Sequence, residues 1–192
     1  MTGDRFRANI TAVMDKSSNS RILIFFLKSG LVYVVWYLLY EMWVLPDGTI
    51  DRILSIHIAE MSSIILSFFN YSVFWLDRVV GITGNAGIEI VNGCNGIAAM
   101  GLFIGFVIAF PGKWINRLLF IAFGTFIIYL VNVSRILVLA LTQEYWPQFF
   151  DITHDYSTTA IFYFVIFLLW IVWANYGEKM DQLFTRKQYN VA

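Results

Sequence analysis

Long runs of apolar residues without charges are the feature that most constrains how this chain can fold. Residues 90–112 and 156–177 contain no Asp, Glu, Lys or Arg, and residues 118–142 contain only Arg135. Residues 22–45 form a fourth apolar run, with charges only near its two ends. A helix of about 20 apolar residues crosses the hydrocarbon core of a bilayer. These runs therefore predict an integral membrane protein.

The composition excludes several other classes of protein. Hydrophobic residues make up 59% of the 192 residues and charged residues 14%, whereas soluble domains carry about 25% charged residues. The 13 basic residues balance 13 acidic ones, so no net positive field attracts nucleic acid. A single cysteine, Cys94, excludes an internal disulfide and a CxxC site. The two histidines and the acids lack the spacing of zinc ligands, and we expect neither a metal nor a cofactor.

Basic residues concentrate in three segments of the chain. The first 28 residues hold five Lys or Arg, residues 111–117 hold two, and the residues after Tyr176 hold three. Residues 46–93 hold only two against five acids, and residues 143–157 hold none against three acids. Basic segments stay on the cytoplasmic side. We therefore predict one all-α domain in the cytoplasmic (inner) membrane, with cytoplasmic residues 1–21 and 177–192 and four spans near residues 22–45, 94–111, 118–142 and 157–176.

Two further segments are predicted to lie on the outer face. A fifth crossing would move the basic N-terminal segment outside, so residues 53–76 are predicted to form an interfacial or re-entrant helix. Within it, His57 and Glu60 have the spacing of an ordinary polar helix face. Residues 78–93 alternate glycines with β-branched pairs, which predicts a short hairpin-like excursion.

Three side chains that could take part in catalysis can meet near the outer boundary of the membrane. Cys94 opens the second predicted span, and the chain then crosses and returns, so the loop with His154 lies on the same side as Cys94. Arg135 comes seven residues before Thr142, where the return span is predicted to end, which places it about 10 Å below the surface. An arginine side chain can extend over most of that distance.

These three residue types form a plausible set for acyl transfer. A cation close to a thiol favours the nucleophilic thiolate. The Arg135 guanidinium could hold an oxyanion, and His154 could carry a proton to the leaving amine. Asp151 or Asp155 could orient the histidine. Alternatively, Arg135 extends to the interface or pairs with an acid such as Glu60, and the cysteine and histidine have no chemical role.

Three short motifs resemble those of the exosortase and archaeosortase family. Cys-Asn-Gly begins at Cys94, Asn-x-x-Arg-Ile begins at Asn132, and the lone His154 precedes the last span. The resemblance covers about residues 50–176. This chain looks more like the compact exosortases of Bacteroidetes-type bacteria than like the longer bacterial members, because it is short, with fewer predicted spans before the core and no extra C-terminal domain.

The resemblance implies an activity and roles for individual residues. Members of this family are membrane transpeptidases that cut a C-terminal sorting signal from an exported protein and join the new end to a cell-surface acceptor. By resemblance, Cys94 is the nucleophile, Arg135 the transition-state stabiliser and His154 the acid and base. Asn95 and Asn132 are candidate supporting residues.

The resemblance to this family also implies which partners to expect. They are the sorting-signal helix of an exported protein, an acceptor amine on a lipid or polysaccharide, and membrane lipid, with no nucleic acid. Two other functions remain open from the residues alone. One is a non-enzymatic membrane subunit or anion-binding transporter with Arg135 as the ligand, although paired repeats typical of transporters are absent from the sequence. The other is an acyltransferase with a lipid acceptor, which shares the same thiol chemistry.

Overall fold

The computed structural model describes residues 23, 27–110 and 112–177, which are mostly helical. The predicted cytoplasmic segment 1–21 and the tail after Gly177 lie outside the described residues. The elements, in chain order, are α1 (Leu27–Asp47), α2 (Thr49–Phe68), β1 (Val73–Leu76), β2 (Val79–Ile82), β3 (Ile88–Glu89), α3 (Ile97–Ala109), α4 (Trp114–Tyr145) and α5 (Pro147–Tyr176).

Three helices of the described chain are long and apolar enough to cross a membrane: α1, α4 and α5. Helix α3 is apolar throughout but has 13 residues, which gives it a length of about 20 Å, less than the ~30 Å hydrocarbon core. The predicted helical membrane architecture is therefore confirmed. The count of four spans stays a prediction, because a crossing at residues 94–111 requires non-helical residues on both sides of α3.

Helix α4 is the longest element and packs differently along its two halves. It has 32 residues, about 48 Å at 1.5 Å per residue. Its first half forms a bundle with α3 and α5, in which Phe103, Phe120 and Trp173 pack together. The rings of Phe120 and Trp173 stack with centroids 5.0 Å apart. Gly124 leaves space for the Phe103 ring against the α4 backbone.

Helix α1 docks on α3 across two glycines. Gly101 and Gly105 have the spacing of a Gly-x-x-x-Gly motif, which allows helices in membranes to approach closely. The Trp36 side chain lies against Gly101, and Val32 lies against Gly105. This contact sets the position of Tyr40, which begins a π-helical turn over Tyr40–Val44 near the end of α1.

Helix α2 and a small sheet pack on the second half of α4. Buried apolar residues join these elements, among them Ile58 on α2, Val80 on β2 and Ile136 on α4. The sheet is antiparallel in the order β1-β2-β3. Strands β2 and β3 confirm the hairpin predicted within residues 78–93, and they correct the all-α description by adding a small sheet.

The predicted helix over residues 53–76 is wrong at its C-terminal end. Helix α2 ends at Phe68, and residues 73–76 form strand β1. Asn70 takes a left-handed conformation with φ 65°, which asparagine tolerates better than most residues and which ends a helix. The β-branched and aromatic residues that follow then pair with β2, from Val73 opposite Ile82 to Leu76 opposite Val79.

Candidate active site

The loop that carries Cys94 connects the sheet to helix α3. The Cys94 N–H donates a hydrogen bond to the Val91 carbonyl at 3.0 Å, which forms a turn. Gly93 and Gly96 flank the cysteine with φ values of 86° and 89°. Only glycine adopts such angles without strain. The two glycines therefore allow the turn that presents the half-buried cysteine immediately before α3.

Asn95 is fully buried and holds both the loop and the start of α3. Its Oδ1 accepts a hydrogen bond from the Ile97 N–H at 3.1 Å, which satisfies one of the free donors at the helix N-terminus. Its Nδ2 donates to Asp51 Oδ1 at 2.8 Å and to the Asp51 carbonyl at 3.0 Å. Asn95 thus supports the candidate nucleophile by fixing the residue next to it.

Asp51 is a residue that sequence analysis missed. It lies in the first turn of α2 and is fully buried. Its Oδ1 also accepts hydrogen bonds from the Tyr40 hydroxyl and the Gly93 N–H, each at 3.4 Å. In the sequence analysis, Asp51 was only one of the five acids of residues 46–93, a segment with two basic residues. A usable signal was its spacing from Ser55, which places two polar side chains on one face of an amphipathic helix.

Asn132 joins helix α4 to the cysteine loop. Its side chain is fully buried, and its Nδ2 donates to the Cys94 carbonyl at 3.3 Å. A Cβ atom at Gly96 would lie 3.5 Å from Asn132 Nδ2 and 3.4 Å from the Phe162 ring on α5. The loop, α4 and α5 therefore meet at one level of the molecule.

Arg135 lies one turn beyond Asn132 on the same face of α4, because residues three apart on a helix are neighbours. The arginine is half-buried. Glu60, which the sequence offered as a partner of Arg135, lies beside His57, with Oε2 of Glu60 3.7 Å from Nδ1 of His57. The side chains of His57 and Glu60 are 63% and 42% exposed, which fits the predicted polar helix face.

His154 lies in a π-helical turn over Thr153–Ser157, within α5. Its Nδ1 is 2.8 Å from Asp155 Oδ1, and its ring stacks on Phe150. Asp151 is exposed on the preceding helical turn. Asp155, one of the two acids that the sequence offered, therefore contacts the histidine. Single π-helical turns inside longer helices occur frequently at functional sites.

The fold gathers these residues around the second half of α4. Asn132 binds the cysteine loop directly, and Arg135 follows one turn later on α4. The turn that holds His154 contacts α4 as well. Helix α4 and the short segment after it thus connect Cys94, Arg135 and His154. The hydrogen bonds of Cys94 to Val91 and Asn132 are made by its backbone N–H and carbonyl.

Apolar spans together with a cysteine loop held at one end of them define an integral membrane protein with a candidate thiol site. A model of the transmembrane exosortase family matches residues 19–171, which include every residue of this site. The chain therefore belongs to the transmembrane exosortase family. The search of curated proteins found no match. The search of solved structures found none either.

Proposed function

We propose that this protein is a membrane-embedded cysteine protease and transpeptidase. Its substrate is the C-terminal sorting signal of an exported protein, and its second substrate is an amine of a cell-surface acceptor, on a lipid or a polysaccharide. The observation that carries the proposal is the Cys94 loop, which α4 holds through Asn132 one turn from Arg135. Membership of the exosortase family supports the same reaction class.

In the first half-reaction, the Cys94 thiolate attacks the carbonyl carbon of the scissile peptide bond. A C–S bond forms, and the carbonyl electrons move to oxygen, where the Arg135 guanidinium stabilises the negative charge. As the oxyanion collapses, the C–N bond breaks and His154 gives its proton to the leaving amine. The products of this half-reaction are a thioester on Cys94 and the released signal helix.

In the second half-reaction, the acceptor amine attacks the thioester carbonyl, and neutral His154 takes the proton from the amine nitrogen. The C–S bond breaks, which regenerates the Cys94 thiolate and leaves His154 protonated for the next cycle, and the exported protein ends in a new amide bond. Water in place of the amine gives simple hydrolysis. Asp155 orients the His154 ring through their 2.8 Å contact.

The decisive experiment is co-expression with an exported protein that carries an apolar, basic-ended C-terminal tail. The wild-type chain should shorten that protein, whereas Cys94→Ala and Cys94→Ser should abolish shortening while they accumulate normally in the membrane. Both replacements fit sterically, because two glycines flank the site. Retained processing in Cys94→Ala contradicts covalent catalysis and favours an anion-binding membrane protein with Arg135 as the ligand.

The proposed site faces the extracytoplasmic side of the inner membrane, where exported proteins arrive. With four crossings and both termini inside, reporter fusions after residues 50, 93 and 150 read outside, and fusions after residues 114 and 185 read inside. A fusion after residue 93 that reads inside contradicts this orientation.

A further inference from the structure

We infer that Asp51 is a positioning residue for the Cys94 thiol. This inference rests on the proposed function, because it assumes that the thiol is the reacting group. The structural observation is that one buried carboxylate holds the residues on both sides of the cysteine. Its Oδ1 accepts hydrogen bonds from the Gly93 N–H at 3.4 Å and from Asn95 Nδ2 at 2.8 Å.

The carboxylate is placed for this role by two helices. It lies in the first turn of α2, and α1 brings the Tyr40 hydroxyl to within 3.4 Å of the same oxygen. Gly48, between the two helices, has φ 65°, and a Cβ atom there would lie 3.3 Å from Asn92 Nδ2. The junction of α1 and α2 therefore lies directly against the loop that carries the cysteine.

Burial of this carboxylate is unfavourable for stability alone. Asp51 is 0% exposed, and its Oδ2 has no hydrogen-bond partner among the described residues. Buried polar atoms without partners are rare in native proteins, and each needs an explanation. An apolar residue at this position would avoid that cost but would leave the Gly93 N–H and the Asn95 amide without their acceptor.

The loop has other contacts that define what Asp51 adds. Arg78 donates to Asn92 Oδ1 at 3.0 Å before the cysteine, and Asn132 donates to the Cys94 carbonyl at 3.3 Å. These contacts fix the entry to the loop and one side of its backbone. Asp51 holds Gly93 and Asn95, the residues on either side of Cys94, so its loss should let the loop that carries the thiol move.

Alkylation of Cys94 measures the accessibility of the thiol directly, because it is the single cysteine of the chain. The full-length protein, solubilised in detergent, is treated with iodoacetamide at about pH 10, where an ordinary thiol is ionised and its rate reports access. Asp51→Ala should raise the alkylation rate about threefold or more, a modest change for a broken buried network. The matched control is Ser62→Ala, which removes another buried oxygen from α2 and should leave the rate unchanged.

A reciprocal exchange keeps the inference testable if Asp51→Ala fails to accumulate. Asn95→Asp places a second carboxylate opposite Asp51, while its oxygen can still accept from the Ile97 N–H. This single change should therefore loosen the loop and speed alkylation. The double variant Asp51→Asn with Asn95→Asp restores the side-chain contact with donor and acceptor exchanged, but neither the bond from the Gly93 N–H nor the bond to the carbonyl of residue 51. It should therefore alkylate more slowly than Asn95→Asp alone.

Two results overturn the inference. One is an alkylation rate in Asn95→Asp that the added Asp51→Asn change does not lower. The other is wild-type processing by an Asp51→Ala variant whose alkylation rate has risen, because the loop position would then not matter for the reaction. If the wild-type chain processes no substrate, the proposed function is contradicted. A raised alkylation rate in Asp51→Ala would in that case still support the contact between Asp51 and the loop. Unchanged alkylation beside active processing contradicts Asp51 alone.

Discussion

The two halves of helix α4 differ in the elements that they pack against. The first half packs Phe120 and Gly124 against the aromatic side chains of α3 and α5. The second half buries the polar side chain of Asn132 and holds a loop with it. Packing of apolar groups in a membrane depends on shape and close approach. Each half buries an amide: Asn116 in the first half donates to the Gly177 carbonyl at 3.5 Å, whereas Asn132 in the second half donates to the Cys94 carbonyl at 3.3 Å. The second half of α4 is therefore the one whose amide holds the cysteine loop.

A comparable difference separates helices α2 and α3. Buried residues of α3 are apolar or glycine, whereas α2 buries Asp51, Ser55, Ser62 and Ser63. Buried polar atoms without hydrogen-bond partners are unfavourable, and Asp51 Oδ2 and Ser62 Oγ have none among the described residues. The buried polar residues of α2 therefore suit a role in positioning the residues of the candidate site. The apolar face of α3 suits helix packing within the bilayer.

Among changes in α4, the largest effect should come from Arg135→Lys, in its second half. The charge remains, but the planar fork of donors that suits a developing oxyanion is lost. Loss of one oxyanion donor costs about 10²- to 10³-fold in rate, and we expect a fall of this size. The measurement is product formed per unit of protein in the membrane. Full activity at normal abundance would show that the charge contributes only to position or stability.

A change in the first half of α4 should affect stability and leave the chemistry intact. The added methyl group of Gly124→Ala would meet the Phe103 ring, which is fully buried. Overpacking of this kind costs about 1 to 3 kcal/mol. We expect a lower thermal midpoint and lower abundance, with wild-type processing per folded molecule.

The matched control for that change is Gly30→Ala on α1, where nothing lies within 4 Å of the added carbon. Alanine is favoured over glycine inside a helix by about 1 kcal/mol, so this variant should be as stable as wild type or slightly more stable. If the folded fraction of Gly124→Ala were inactive, the first half of α4 would affect the reaction as well as stability, which would contradict the distinction between the two halves.

A smaller effect is expected for Asn132→Ala. This change removes the donor to the Cys94 carbonyl but leaves that carbonyl a path to water or to a shifted neighbour. The net value of such a hydrogen bond is about 0.5 to 1.5 kcal/mol, so processing should fall roughly two- to tenfold. Asn132→Asp should be worse, because it places a carboxylate against the carbonyl oxygen. Equal rates for the two variants would contradict a role for the hydrogen bond.

The sequence predicted the apolar elements well because hydrophobic runs and periodicity are local signals. Runs around residues 118–142 and 156–177 correspond to α4 and the last part of α5. The end of α2 was not predicted, because the following strand is stabilised by pairing with β2, a partner that local preference does not reveal. Helix α4 continues to Tyr145 since its polar last turn packs on other elements, with the Tyr145 hydroxyl 3.0 Å from that of Tyr71.

The residues of the candidate site were also only partly predictable from the sequence. Cys94, Arg135 and His154 were proposed from residue type and motif, and their catalytic roles remain predictions. The value of Asn132 was visible only as part of a motif, and its contact with the Cys94 carbonyl required the fold. The spacing of Asp51 from Ser55 marks a polar helix face, but the sequence does not reveal the contact of Asp51 with the cysteine loop, because those partners lie 42 and 44 residues away in the chain.

The smallest effect should come from Asp155→Asn, which tests how the histidine is oriented. The side chains of His154 and Asp155 are 42% and 60% exposed, and exposed charge pairs contribute about 0.2 to 1 kcal/mol. Processing should therefore fall by no more than about fivefold, and the difference from wild type should shrink in high salt, which screens exposed pairs. Asp151→Asn is the matched control and should leave processing unchanged, because Asp151 is exposed on the preceding turn. A loss as large as that of Arg135→Lys would mean that substrate binding buries the pair, since only a desolvated carboxylate could then account for the difference. A loss in Asp151→Asn alone would transfer the orienting role to the other acid.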